Sequence, residues 1–228
     1  MGSARHVFVW AMAVRHFSDT PAYAKNMHHA LAFLRDVHRN AETGGYAWQR
    51  DLDGRRATVI EATNHCYGLA FVLLACSHAL LAGVGEARDA LYETFALMER
   101  HLWQPEFGLY ADEADAHWHL TDYRGQNAYM HATEACLAAF EATRDERFLD
   151  RVTLLADHIV QRQTAQTDGL MIWEHYRADR SIDWDYNRHD SSDIFRPWGY
   201  QPRHFTKWAK LLLILERHRP LLWLLRRA

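Results

Sequence analysis

The chain has 228 residues, 49% of them apolar and 24% charged, with a formal net charge of −3. That length fits one ordinary domain or a part of a larger one, and the composition is that of a globular chain, not a disordered one. The nearly balanced charge removes any electrostatic reason to expect nucleic acid or an anionic membrane as a partner.

Helical periodicity dominates. Apolar residues recur at i, i+3, i+4 and i+7 over 4–16, 20–38, 60–83, 86–101, 126–142, 146–164 and 202–217, which predicts about seven long helices. Thr20-Pro21 predicts a capped start for the second helix, and Asp145 a cap for the sixth. No segment alternates long enough for an extended strand, so the class is all-α with at most short hairpins in the loops. The apolar runs at 7–14 and 211–215 are too short for a signal sequence or a membrane span. Cys66, Cys76 and Cys136 sit in helical runs without CxxC spacing, which predicts buried reduced thiols. Together these features predict a cytoplasmic protein.

The loops repeat. Gly44-Gly45-Tyr46-Ala47-Trp48 returns as Gly108-Leu109-Tyr110-Ala111-Asp112 and as Gly169-Leu170-Met171-Ile172-Trp173, at spacings of 64 and 61 residues. Each copy follows one helix and precedes another. A helix–loop–helix unit of that size buries its face only against its neighbours, which predicts an α/α toroid with a cleft at one set of helix ends. The chain is too short for a closed ring of six such units, so the toroid is incomplete: residues 1–216 form a partial barrel and 217–228 an atypical tail that reads as a run-off end.

Candidate chemistry concentrates at helix starts. Asn127 and His131 lie four apart, so both project from one helix face, Asn127 at the mouth and His131 one turn deeper. An amide and an imidazole there can hold a hydroxyl and relay a proton; a hydrogen-bonded core histidine is the other reading. His204 opens a helix out of a Pro/Gly/aromatic loop, where the positive end of the helix dipole favours neutral imidazole. Lys207, three residues on, shares that face and acts in the same direction, and no carboxylate stands nearby in sequence to hold the ring. Glu174 and Asp185 are the only carboxylates placed for a glycosidase-type pair. The histidines show no metal-binding spacing. Nine Trp, ten Tyr and sixteen His suit a cleft that stacks sugar rings, or simply a helical core filled with aromatics.

Several collinear blocks carry a resemblance. They are Ala4-Arg5-His6-Val7-Phe8, the run from Tyr67 to Ala75, Gln126-Asn127-Ala128-Tyr129-Met130-His131-Ala132-Thr133-Glu134-Ala135, Trp184-Asp185-Tyr186-Asn187, and Phe195-Arg196-Pro197-Trp198-Gly199-Tyr200-Gln201-Pro202 running into His204 and Trp208. These blocks resemble the N-acylglucosamine 2-epimerase superfamily, and within it the mannose isomerase and aldose–ketose isomerase branch. The resemblance implies an (α/α)6 barrel, of which this chain would hold about seven of twelve helices. It also implies cofactor-free and metal-free interconversion of an aldose with its 2-ketose, or epimerisation at C2, through a cis-enediol. His204 and His131 would be catalytic, Arg5, Tyr67 and Asn127 would bind sugar, and Trp198 would wall the ring. The implied partner is a small monosaccharide, and a homodimer stays open. Two positions depart from the family pattern Pro-Gly-His-x-x-Glu-Trp, which reads Pro202-Arg203-His204-Phe205-Thr206-Lys207-Trp208 here. Asn64 replaces the usual Lys ahead of Tyr67, and Leu69 a common His. A second expectation follows from these departures: an inactive carbohydrate- or partner-binding α/α fragment.

Overall fold

A computed structural model describes residues 2–17, 20–53, 56–167, 169, 171–190 and 192–228. Seven long α-helices carry the architecture among these residues: α1 (Gly2–His16), α2 (Pro21–Phe33), α3 (Cys66–Leu81), α4 (Ala87–His101), α5 (Gln126–Thr143), α6 (Glu146–Asp157) and α7 (Pro202–His218), with a short α8 (Leu224–Arg227) after them. The all-α expectation holds. Helices α2 and α6 run on through π-helical turns at Leu34–His38 and His158–Gln163. The third helix starts at Cys66 and not near 60, because Arg56–Glu61 (β2) pairs antiparallel with Gln49–Asp53 (β1) as a hairpin. Thr-Val-Ile at 58–60 is β-branched sequence, which fits a pleated strand better than a helix turn.

Odd-numbered helices form an inner row, α1 on α3, α3 on α5 and α5 on α7, while α2, α4 and α6 back α1, α3 and α5. The sequence explains the sorting. Helix α3 is apolar on every side and is buried almost continuously from Leu69 to Ala79, as a helix with neighbours all round must be. Helices α4 and α6 bury one stripe each, Leu91, Phe95 and Met98 on α4 and Phe148, Val152 and Leu155 on α6. The stripes meet where the Phe95 and Phe148 rings stand 4.6 Å apart. The three cysteines are free and buried in this core.

Asp145 accepts the backbone N–H of Arg147 and so caps α6, whereas Thr20 makes no side-chain cap and α2 starts on Pro21 alone. The first glycine of each loop copy, Gly44, Gly108 and Gly169, takes a left-handed φ of 72°, 62° and 84°. At Gly108 a Cβ would also lie 2.4 Å from His158 Nε2, so only glycine fits the turn there. Leu170 of the third copy lies outside the described residues.

Short strand pairs then tie the second and third loops to the starts of α3 and α5. Asn64–His65 (β3) pairs with Glu113–Ala114 (β6), and Arg124–Gly125 (β7) pairs with His175–Tyr176 (β8); Trp103–Gln104 (β4) and Leu109–Tyr110 (β5) close the second loop copy. After α7 ends at His218, α8 folds back, with Leu224 fully buried in the main core and Arg227 donating to the Gly169 carbonyl at 2.5 Å.

Candidate functional site

A cleft of about 820 Å³ opens at the N-terminal ends of the inner helices. Each inner helix contributes from its first two turns: Arg5 on α1, Tyr67 on α3, Asn127 and His131 on α5, His204 and Lys207 on α7. Five of the six residues singled out from sequence therefore line one cavity. The sixth, Trp198, stands outside it. Its indole donates to the Trp184 carbonyl at 2.6 Å and its ring meets Trp173 edge-on. The tryptophan that does line the cleft is Trp48, at the end of the first loop copy, 4.2 Å from the His65 ring.

On the α1–α3 side, the Arg5 guanidinium donates to the Tyr67 hydroxyl at 2.7 Å and lies over the Phe71 ring at 4.8 Å. The His131 ring sits against Tyr67 and Phe71, each 4.7 Å away, with Nδ1 3.2 Å from Glu134. Burial pulls the His131 imidazolium pKa down; the Glu134 hydrogen bond opposes this and Lys207 reinforces it. The partners of Lys207 lie on α5. Its ammonium reaches 2.6 Å from Glu134 and 3.2 Å from His131 Nδ1. Burial pushes the Glu134 carboxyl up, but the hydrogen bonds and charges of His131 and Lys207 outweigh that and bring it down to about 2.

On the α5–α7 side, the sequence-based expectation that no carboxylate supports His204 is overturned. Glu174 Oε1 lies 2.8 Å from His204 Nδ1. Gln126 Nε2 donates to the same Glu174 oxygen at 2.8 Å and lies 2.6 Å from His204 Nδ1, while Gln126 Oε1 accepts the Trp208 indole N–H at 2.8 Å. The indole fixes which end of the amide faces inward, so two N–H groups converge on one carboxylate oxygen. That arrangement puts the imidazole proton on Nδ1 and leaves Nε2 as the nitrogen available to a bound molecule. Glu174 is 4% exposed and His204 8%, so the pair is shielded from solvent.

The β7–β8 pairing creates this contact. It carries on into α5 through the Gln126 N–H to Glu174 carbonyl bond at 3.1 Å, which sets a residue of the 170s loop under a helix that begins at 202. Sequence reasoning placed Glu174, with His175 and Tyr176, in a loop that could wall a pocket or pack it, and as half of a glycosidase pair. Its supposed partner, Asp185, is exposed and bonded to Arg188, so no such pair forms.

Further residues line the cleft. His175 accepts from the Tyr123 hydroxyl on Nδ1 at 3.0 Å and donates from Nε2 to the Pro197 carbonyl at 2.8 Å. Arg196 stacks on Tyr123 at 3.9 Å and pairs with Glu113, which also holds His65 at 3.1 Å. Asp112 is buried, accepts the Gly125 N–H at 2.8 Å, and is pushed up to about 7 by that burial, the Gly125 hydrogen bond and nearby arginines offsetting part of it. The departures at 64 and 69 also have structural uses. Asn64 accepts the Tyr46 N–H and donates to the Asp115 carbonyl, both at 3.0 Å, tying two loops together, and Leu69 is core. Arg203 is exposed at the mouth of the cleft.

The family model for N-acylglucosamine 2-epimerase (GlcNAc 2-epimerase) matches residues 1–228. The chain belongs to the N-acylglucosamine 2-epimerase family. It is 45% identical over 229 residues to a D-mannose isomerase of Marinomonas mediterranea, a match covering 100% of this chain and 57% of that protein. A D-mannose isomerase of Thermobifida fusca is 36% identical over 209 residues, covering 91% of this chain and 50% of the relative. The chain thus spans about half the length of these relatives of its family. A crystal structure of D-mannose isomerase superposes with a TM-score of 0.93 at 45% identity, over 99% of this chain and 56% of that one. A cellobiose 2-epimerase from Spirochaeta thermophila superposes with a TM-score of 0.83 at 20% identity, over 99% of this chain and 55% of its own, which establishes the shared epimerase-family barrel fold. Among the described residues no helix is long and apolar enough to cross a membrane.

Proposed function

We propose that this chain carries the sugar site of an aldose–ketose isomerase, converting a free aldose such as D-mannose to its 2-ketose, D-fructose. The observation that carries the proposal is the buried Glu174–His204 pair opening onto a cleft that also holds His131, Arg5, Tyr67 and Asn127.

In this reading His204 Nε2 removes the C2 proton of the open-chain aldose. Glu174 stabilises the imidazolium that forms and holds the ring in the productive tautomer, with Gln126 and Trp208 keeping the carboxylate in place. Loss of the C2 proton leaves a cis-enediol, and return of a proton to C1 completes the ketose. His131, whose charged form burial and Lys207 both disfavour against the pull of Glu134, accepts or returns a hydroxyl proton on the opposite wall. Arg5 and Asn127 donate to sugar hydroxyls, and the Arg5–Tyr67 bond presets the guanidinium. Trp48 offers an apolar face for the carbon skeleton.

The test incubates the chain with D-mannose and measures fructose, together with exchange of the C2 hydrogen in D2O. His204→Ala should lower both by about a hundredfold or more. Equal rates in the two proteins would overturn the role of His204. Mannose binding without exchange in either would favour the inactive carbohydrate-binding reading that the departures at Arg203 and Lys207 raise.

A further inference from the structure

The cleft contains an amine in a setting suited to attack a carbonyl. The chain has three lysines, Lys25, Lys207 and Lys210. Lys25 and Lys210 are exposed, and only Lys207 lines the cleft. Its Nζ stands 2.6 Å from Glu134 Oε2 and 3.2 Å from His131 Nδ1, with the Lys207 side chain 24% exposed. An amine that condenses with an aldehyde needs a neutral nitrogen, a neighbour to take and return protons while water leaves, and a carbonyl held within reach. Glu134 and His131 are that neighbour, and the open-chain form of a reducing sugar supplies the carbonyl.

We propose that Lys207 is a covalent carbonyl site, forming an imine with C1 of an open-chain aldose bound in the cleft. With its ammonium proton given up to solvent, Nζ forms a bond to C1 as one nitrogen proton passes by way of His131 to the carbonyl oxygen, giving a carbinolamine. The second nitrogen proton takes the same route to the hydroxyl, which leaves as water, and the C1=N bond remains. Removal of the C2 proton by a cleft histidine gives a 1,2-enaminol, and protonation at C1 yields a ketoamine on Nζ, with no net oxidation or reduction. This is the same C2-to-C1 proton transfer proposed for the free sugar, diverted onto the protein. Burial supports it by pulling the Lys207 ammonium pKa down, against the opposing pull of Glu134. The proposal rests on reading the cleft as an aldose site.

The experiment traps the adduct. The full chain is incubated with D-mannose or, separately, with glyceraldehyde, then treated with cyanoborohydride, digested at glutamates and mapped by mass spectrometry. The expected result with mannose is one hexose less one oxygen on Lys207, formed roughly tenfold or more faster than on Lys25 or Lys210, a small part of what proximity can give. Lys207→Arg, which keeps a cation for Glu134, should lose that adduct while its melting temperature stays near the wild-type value. Equal labelling of the three lysines, or none on Lys207, with both aldehydes would overturn the proposal. Enrichment on Lys207 with glyceraldehyde alone would uphold the nucleophilic amine and overturn the aldose reading of the cleft. Fructose formation measured alongside reports on the isomerase reading independently of the adduct.

Discussion

Two successive strand-to-helix joints share a backbone design and differ in what their carboxylates meet. At the first, the residue before β6 is Asp112, whose carbonyl accepts the Cys66 N–H at the start of α3 at 2.7 Å. At the second, the residue before β8 is Glu174, whose carbonyl accepts the Gln126 N–H at the start of α5 at 3.1 Å. Both carboxylates are buried and both line the cleft. Asp112 is one methylene shorter and is taken up by the Gly125 N–H, a main-chain tie between neighbouring units. Glu174 reaches past its own joint to the Gln126 amide and to His204 on α7. One backbone position therefore serves structure in one unit and a candidate acid–base pair in the next, the difference being which side chain the following inner helix presents.

Glu174→Gln strikes that difference hardest. It keeps the size of the side chain but loses the charge that sets the His204 tautomer, so turnover of D-mannose should drop by about two to four orders of magnitude with little change in melting temperature. If activity persisted near wild type, Glu174 would be a second Asp112, a structural tie only. Gln126→Ala removes the link between Trp208 and Glu174. We expect about a tenfold to hundredfold loss in kcat with a smaller change in KM, a pattern that simple loosening of α5 would not give.

On the opposite wall, Lys207→Met removes a cation from beside His131 and leaves Glu134 to pair with the imidazole alone. His131 should then titrate at higher pH by NMR than in the wild type, and an unchanged or lower titration would show that burial alone governs it.

The smallest effect concerns Asp112. Its folded-state pKa, pushed up to about 7 by burial, lies above the ordinary carboxylate value. Its favourable contribution is therefore complete below about pH 4 and is lost as pH rises through about 7. Asp112→Asn should gain melting temperature relative to wild type across that interval. Glu134, brought down to about 2 by His131 and Lys207 despite its burial, has the opposite sign, its contribution present above about pH 4.5 and lost as pH falls toward 2. Glu134→Gln should accordingly converge on wild type only in acid. Parallel profiles for the two variants would mean that the cleft does not distinguish its carboxylates.

Much of this was legible in the chain itself. The 3.6-residue period placed seven long helices, and the loops opening on Gly44, Gly108 and Gly169 announced a repeating unit, each of those glycines taking a left-handed φ. Asn127, His131 and His204 were legible as candidates because each sits in the first turns of a helix, where a side chain meets a loop-lined opening; Arg5 and Tyr67 were legible only through the family resemblance. Short hairpins were allowed for in the loops, but the place of β1–β2 was not legible, and its last residues, Ile60 and Glu61, were counted into the third helix. What only the tertiary structure decided was partnership. Glu174 meets His204 across 30 residues of sequence, and Lys207 meets His131 across 76. Trp48 took the place in the cleft expected of Trp198. Periodicity fixes which face of its own helix a residue occupies. Which distant side chain stands opposite depends on short strand pairings such as β7–β8, and those leave almost no trace in two-residue stretches of sequence.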